Sequence, residues 1–270
     1  MTSDVDVIIV AHDSGELLAE AVGSAVAEVG EPRVVVVDAE SRDGSIEATA
    51  ARYPGVRVIP VRNEGFSAGN NRGVEATSGE YVMLLNPDAL LHPGAIAALV
   101  ETMKRTPDGG IVAPVVRNPD GSMQAGSYGR FPTLVTRAGL GLRRLGNRLA
   151  RRPDAPRMPT RPRPVDWVTG AAMLVRREAI DSAGPMDEAF FLYYEDIEWC
   201  HRMWDHGWRV VVDPGATVTH HVGCSGASGT SSRVAEEYRR SFERYCELYG
   251  LHALRLAGRI GVAFRGGWGT

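Results

Sequence analysis

The sequence predicts an α/β fold with a mostly parallel central sheet flanked by helices, built as a single domain. Three observations carry the prediction. Short apolar runs rich in Val, Ile and Leu recur within residues 5–86, helical patterns separate them, and polar residues close each run. Runs that are apolar at almost every position, not at every second one, mark strands buried on both faces. That is the condition of a parallel sheet covered by its crossover helices.

The elements follow in order. VDVIIVA (5–11) is the first strand, HDSGE a turn and LLAEAVGSAVAEV a helix. RVVVVD (33–38) is the second strand, followed by the turn AESRDGS and a helix to about Tyr53. In that turn Asp43, Gly44 and Ser45 are placed to cap the helix. VRVIPV (56–61) is the third strand, and the loop NEGFSAGNNRG opens a helix ending near Ala76. YVMLLN (81–86) is the fourth, stopped by Pro87. Right-handed crossovers put the loops after these strands on one edge, where open α/β sheets bind ligands. Asp13, Asp38, Asn63 and Asp88 all fall at or just after strand ends, so that edge is the candidate site.

Beyond a helix over 93–105 the pattern loosens. IVAPVV (111–116) is a strand, NPDGS (118–122) a turn, and VDWVTGAAMLVRREAI (165–180) a strand leading into a helix. GWRVVVDPGATVTHH (207–221) reads as strands around a Pro-Gly turn, and RVAEEYRRSFERYCELYG (233–250) as a helix.

At 270 residues, 44% hydrophobic and 23% charged, the chain has the composition of a globular protein with a sizeable core. The acidic start MTSDVDVIIV enters an apolar run at once, so no secretory leader is expected. No stretch approaches the roughly 20 apolar residues of a membrane span. Cys200, Cys224 and Cys246 are odd in number and lack CxxC spacing, which points to reduced thiols and a cytoplasmic protein. The net charge of −3 conceals an asymmetry: residues 130–163 carry ten arginines against one acid, Asp154.

LNPDALL (84–90) sets Asp88 just past a buried strand. By itself NPD is an ordinary turn; the functional reading is a carboxylate holding Mg2+ or Mn2+ against a diphosphate. His220 or His221, ending VTHH, is its candidate companion, although a lone histidine after a strand is more often structural. Asp38 ends a buried strand, a poor place for a carboxylate unless it meets a ligand such as a pyrimidine N–H. The loop 62–73 offers backbone amides near a helix start, suited to a sugar-phosphate, or is simply a flexible loop. YYEDIEWCHR (193–202) crowds Glu195, Asp196 and Glu198 among aromatics. On a helix Glu198 shares a face with Arg202, while Asp196 lies off that face and can turn toward a cleft. A capped amphipathic helix with surface acids explains the same residues.

Together these segments resemble family 2 glycosyltransferases of GT-A fold, above all bacterial rhamnosyltransferases. VDVIIVAHDS, VVVVDAESRDGS, RNEGFSAGNNRG, GEYVMLLNPDALL, VDWVTGAAMLVRREAI, GPMDEAFFLYYEDIEWCHRMWDHGWRV and PGATVTHHVGCSG occur in the family's order over residues 5 to about 226. The resemblance implies a GT-A domain over 1–230 and a C-terminal helical extension over 231–270. Within the domain, 1–115 would bind the nucleotide sugar, and 116–230, including the basic segment 130–163, the acceptor. It implies that Ala11, Asp13, Asp38, Asn63, Gly65, Asn70, Arg72, Asn86 and Asp88 bind the donor. Asp88 and His220 (or His221) would hold Mg2+ or Mn2+. Trp167, Gly170, Glu195 and Glu198 would lie on the acceptor side, with Asp196 as general base. Three departures stand out: Asn86 replaces the first Asp of the family's DxD motif, His12 and Asp13 stand where Tyr and Asn are common, and AES replaces NAS or NGS after Asp38.

The implied activity is inverting transfer of L-rhamnose from dTDP-rhamnose to a hydroxyl of a glycan or polyprenyl-diphosphate-linked acceptor. Two other readings stay open: transfer of another nucleotide sugar to a soluble acceptor, and a catalytically inactive GT-A binding or scaffold protein. A dinucleotide-dependent oxidoreductase is rejected, because AHDSGELL holds one glycine where GxGxxG is expected. Leucines recur at helical spacing among the arginines of 134–152. That segment is either a solvated loop or a basic helix lying on an anionic membrane surface, on the inner face of the plasma membrane. Nothing aromatic is interleaved with the arginines, which argues against nucleic acid as a partner. The sequence leaves a homo-oligomer open.

Overall fold

The computed structural model describes residues 4–139, 142, 158–221 and 232–259. The first apolar runs form parallel strands β1 (Val5–Ala11), β2 (Val34–Ala39), β3 (Arg57–Val61) and β4 (Tyr81–Leu85), in the spatial order β3-β2-β1-β4. Helices α1 (Leu17–Val29), α2 (Ser45–Arg52) and α3 (Phe66–Glu75) return the chain between them. The chain then continues through β5 (Ala89–Leu91), helix α4 (Ala95–Arg105), β6 (Gly109–Arg117), the short strands β7 (Tyr128–Gly129), β8 (Arg163–Pro164) and β9 (Trp167–Val168), β10 (Ala172–Arg176) and β11 (Arg209–His220). The order of the sheet is β3-β2-β1-β4-β10-β6-β11-β5, with β8 beside β11, while β7 and β9 pair apart from it. Strand β10 runs antiparallel between β4 and β6, and β5 and β8 run antiparallel to β11. The sheet is therefore mixed but mainly parallel, in one domain.

Alternation along the strands sorts the core into two dry layers. Val5, Val7, Ile9 and Ala11 meet Leu18 and Val22 of α1 and Ile96, Leu99 and Met103 of α4. On the other face Ile8, Val37, Val82 and Leu84 join the layer built from α5 (Arg177–Ala183), α6 (Glu195–Asp205), α7 (Ser232–Leu248) and α8 (His252–Arg259). Ile180, Trp199, Phe242, Tyr245 and Leu254 are its contributions from those helices. Both faces exclude water, which is why the strands are apolar at successive positions. The C-terminal helices thus belong to the domain's own core. Cys200 and Cys246 are buried free thiols, and Cys224 lies outside the described residues.

Three local features differ from the sequence reading. Residues 209–220 form one strand with a bulge, not two strands around a turn. Val210–Asp213 pair with Ile111–Pro114 and Thr217–Thr219 with Val115–Arg117, so the chain keeps its direction past Pro214 and Gly215. Asp213 absorbs the extra residues by accepting the Gly215 N–H (2.8 Å) and the Thr102 hydroxyl (2.6 Å). Residues 89–91, to which the sequence assigns no strand, pair with Val218–His220. That pairing carries Asp88 to the end of β11. Finally, the expected cap of α2 is set one residue later than Asp43: the N-cap is Gly44, while Asp43 Oδ1 accepts the N–H of Ser45, the first helical residue (3.0 Å), and its Oδ2 the Gly15 N–H (2.8 Å), tying the first two loops together.

Candidate active site

Strand β4 ends at Leu85, and Asn86 is held by its N–H donating to the Ala171 carbonyl (2.9 Å). Asp88, 2% exposed, places Oδ1 3.1 Å from His220 Nε2, and its carbonyl accepts the His221 N–H (2.9 Å). Of the two candidate histidines, His220 thus brings its ring to Asp88, whereas His221 meets it through the backbone. On the far side of the ring, His220 Nδ1 donates to Gln124 Oε1 (3.1 Å). Asn86 Nδ2 stands 3.3 Å from Nε2, and Asn86 Oδ1 is buried with no hydrogen-bond partner.

This donor set fits a divalent cation. With its proton on Nδ1, His220 turns an Nε2 lone pair toward a carboxylate oxygen, and two such groups repel unless a cation or a proton lies between them. A carbonyl oxygen fixing the other ring nitrogen is the usual support of a metal-bound histidine. No cluster of three or more His, Cys, Asp or Glu that could hold a metal occurs among the described residues. A cation at Asp88 and His220 would therefore take its remaining oxygens from elsewhere, as Mg2+ and Mn2+ commonly do from ligand phosphates.

The turn joining β9 to β10 links this corner to a second one. While Ala171 accepts from Asn86, the Gly170 N–H donates to Asp196 Oδ2 (2.9 Å). A Cβ on Gly170 would lie 3.1 Å from the Phe66 ring, so glycine lets the backbone pass between Phe66 and the carboxylate. Asp196 is half-buried in the first turn of α6, and its Oδ1 accepts the Ile197 N–H (2.8 Å). Burial pushes its carboxyl up to about 6, against those two N–H groups. Glu195 is 5% exposed with Oε2 lacking a partner; burial first, and the charge of Asp196 second, push its carboxyl well above the usual range.

The remaining expected donor residues line the ends of β1, β2 and β3. Ala11, Asp38 and Pro60 sit side by side across these strands. Asp38 Oδ1 accepts the Ser41 N–H (2.9 Å), and Asp13 Oδ1 the Arg42 N–H (2.7 Å). Asp13 and Glu40 both adopt left-handed backbone (φ 47° and 62°), a strained conformation for such residues and a mark of constrained loops. The Asn63 N–H donates to Glu40 Oε2 (3.3 Å). Gly65 (φ 103°) brings its backbone against Phe191, where any Cβ would clash with the Phe191 carbonyl. The Asn70 amide donates to the Phe66 carbonyl inside α3, and Arg72 pairs with Glu75 and, at 4.0 Å, Glu188.

The family model described as Glycosyl transferase family 2 matches residues 6–184. The chain belongs to this family. This family 2 glycosyltransferase is 32% identical over 260 residues to the N-acetylglucosaminyl-diphospho-decaprenol L-rhamnosyltransferase of Mycobacterium tuberculosis (strain ATCC 25618 / H37Rv), covering 90% of this chain and 84% of the relative. It is 30% identical over 144 residues to the low-salt glycan biosynthesis hexosyltransferase Agl10 of Haloferax volcanii, 52% of this chain and 43% of the relative. Among solved structures, GalNAc-T7 with UDP, GalNAc and Mn2+ superposes with TM-score 0.64 at 19% identity, over 88% of this chain and 47% of that one. The mannosyltransferase PcManGT from Pyrobaculum calidifontis, in complex with GDP-Man and Mn2+, gives 0.61 at 17%, over 90% and 64%. The glycosyltransferase therefore has the expected GT-A-type fold, and it spans less than two-thirds of either solved chain.

Two residues expected on the acceptor side of this glycosyltransferase are engaged elsewhere. Glu198 accepts from Arg202 Nε (2.8 Å) and Nη2 (2.9 Å), and Arg202 also donates to the Ala183 carbonyl. The reason is helical spacing: an i,i+4 ion pair turns Glu198 toward α5 and away from Asp196. Trp167 is 7% exposed, its indole N–H donating to the Arg130 carbonyl, so it backs the site as packing. Gln124 escaped the sequence reading entirely. A glutamine after a turn carries no signal, and only the Gln124 N–H bond to Val116 (3.0 Å) brings it to His220.

Proposed function

We propose that the protein transfers L-rhamnose from dTDP-rhamnose to a hydroxyl of a GlcNAc unit carried on a lipid diphosphate, inverting the anomeric carbon. The observation that carries this reading is the position of Asp196. It is a half-buried carboxylate with its pKa raised to about 6, held by the Gly170 N–H one residue before the Ala171 carbonyl that fixes Asn86 beside Asp88. The rhamnosyl group and the lipid-diphosphate-linked GlcNAc follow the name of the relative that is 32% identical over 90% of this chain, and the dTDP carrier follows the family resemblance of the sequence.

Asp88 and His220 would hold Mg2+ or Mn2+, which when bound supplies positive charge against the departing diphosphate. The chain's own residues account for the rest. Asp38, with Oδ1 occupied by Ser41, keeps Oδ2 for the N–H of a pyrimidine base. Asp196 accepts the proton of the acceptor hydroxyl as that oxygen attacks the face opposite the diphosphate. Gly170 and the Ile197 N–H fix both carboxylate oxygens, so the base is oriented before the acceptor arrives. A lipid-borne acceptor also calls for a membrane surface. No described helix is long and apolar enough to cross a membrane, but Leu134, Val135 and Leu142 are 46%, 81% and 71% exposed at the start of the arginine-rich segment. These exposed side chains beside arginines support peripheral seating on an anionic membrane surface, which we place at the inner, cytoplasmic face of the plasma membrane.

The test is a pair of measurements. Calorimetry should show dTDP-rhamnose binding with Mn2+ and not with EDTA; preference for UDP-glucose, UDP-GlcNAc or GDP-mannose would overturn the donor. Asp196→Asn should lower transfer by roughly 10²–10⁴-fold while leaving donor affinity nearly intact. Lost donor binding in that variant would move Asp196 out of the base role.

A further inference from the structure

The turn that delivers Asp196 is strained. Tyr193 and Tyr194 both adopt left-handed backbone (φ 70° and 65°), immediately before Glu195. Such conformations in bulky residues are strained and persist only where the surroundings over-determine them. Here the surroundings are specific. Tyr194 is 3% exposed, and its hydroxyl meets Arg137 Nη2 (2.9 Å) and the Tyr238 hydroxyl (3.3 Å). Its ring stands edge-on to Tyr238 (5.4 Å between centroids) and tilted against Phe242 (5.6 Å) and Tyr245 (5.5 Å). Tyr193 leans on Tyr238 as well (5.6 Å).

Arg137 is the unexpected member of this group. It lies on the helical stretch 134–139 that begins the arginine-rich segment, yet it is half-buried and pairs with no carboxylate among the described residues. Its helix is fixed at the start by reciprocal bonds between Thr133 and Thr136 (2.8 and 3.1 Å), and Phe131 stacks on His201 of α6 at 4.1 Å. The segment therefore grips α6 at two places, one of them the residue preceding Glu195.

We propose that Arg137, Tyr194 and Tyr238 form a clamp of positioning residues, drawn from three separate parts of the chain, that holds the left-handed turn and so aims Asp196. The proposal rests on Asp196 being the base, and it makes the base's position depend on how the arginine-rich segment is seated.

Two variants and two readouts test it. Tyr194→Phe keeps the ring packing and removes the hydroxyl; Arg137→Gln removes the cation. With dTDP-rhamnose and a prenyl-diphosphate-linked GlcNAc, each should lower kcat roughly ten- to hundredfold with donor Kd and melting temperature unchanged. Arg137→Lys should recover most of the loss, and the double variant should be no worse than either single one. Independently of any substrate, hydrogen–deuterium exchange over residues 193–199 should rise in Tyr194→Phe and Arg137→Gln. Unchanged exchange there overturns the clamp whatever the donor is. Raised exchange with unchanged kcat overturns its link to catalysis and places the failure with the base assignment.

Discussion

Asp196 is pulled in two directions, and the balance has two measurable consequences. Burial raises its carboxyl to about 6, while the Gly170 and Ile197 N–H groups favour the charged form without overcoming burial. In the proposed role of base Asp196 must be ionised to work, so kcat/KM should rise with pH through a limb near 6, well above an ordinary carboxylate. A limb near 4 in the pH–rate profile would show the carboxylate to be solvated. The same shift acts on stability. Because the folded chain binds this proton more tightly than the unfolded chain, the stabilisation is fully present below the unfolded value and is lost as pH rises through about 6. Asp196→Asn should therefore melt higher than the parent at pH 7.5 and no higher at pH 4, a stability gain at the expense of activity. Equal melting temperatures at pH 7.5 would remove the burial argument.

At the level of elements, the residue that joins the two halves of the site is Asn71. From α3 its Nδ2 donates to the Met186 carbonyl (2.9 Å) and Glu188 Oε1 (3.0 Å), and its Oδ1 accepts the Met186 N–H (3.0 Å). The two bonds to Met186 span 115 residues of chain, and together with the one to Glu188 they set the segment leading to Tyr193 and Tyr194. Asn71→Ala would strand the buried N–H and C=O of Met186, at a cost of about 2–3 kcal/mol. Urea unfolding should show that loss, and a change under about 0.5 kcal/mol, the size of a neutral surface substitution, would mean water replaces the amide. The loop sequence drew notice to Asn70 and Arg72, and Asn71 looked the same. Asparagine in a Gly-rich loop has many uses, and nothing local distinguishes a clamp on residue 186 from a bond within its own helix, which is what Asn70 makes.

Across the whole molecule, charge and apolar exposure coincide on one segment. Leu134, Val135 and Leu142 are exposed beside Arg137, and Arg143, Arg144, Arg148, Arg151 and Arg152 follow outside the described residues. Each basic residue near an anionic surface contributes about 1 kcal/mol, so neutralising these five should weaken vesicle binding by roughly three to four orders of magnitude. Sedimentation with phosphatidylserine-containing vesicles measures this, and an unchanged bound fraction would return the segment to a solvated role. Arg137 is left out of that variant because it faces Tyr194.

The sequence by itself determined the four leading strands and their helices, since apolar runs with polar ends leave a chain few ways to bury them, and it brought Asp38, Asp88 and Asp196 forward because carboxylates at strand ends or among aromatics are costly without a purpose. It also reached the family through seven weak segments in order. What only the tertiary structure decided was which neighbours those carboxylates have. Strand β5 pairs with β11 and brings His220 to Asp88, and the turn 169–171 ties Asn86 to Asp196. Each depends on contacts between residues far apart in the chain. The local periodicity that reveals a strand or helix records which face of an element is buried, but not which element covers it.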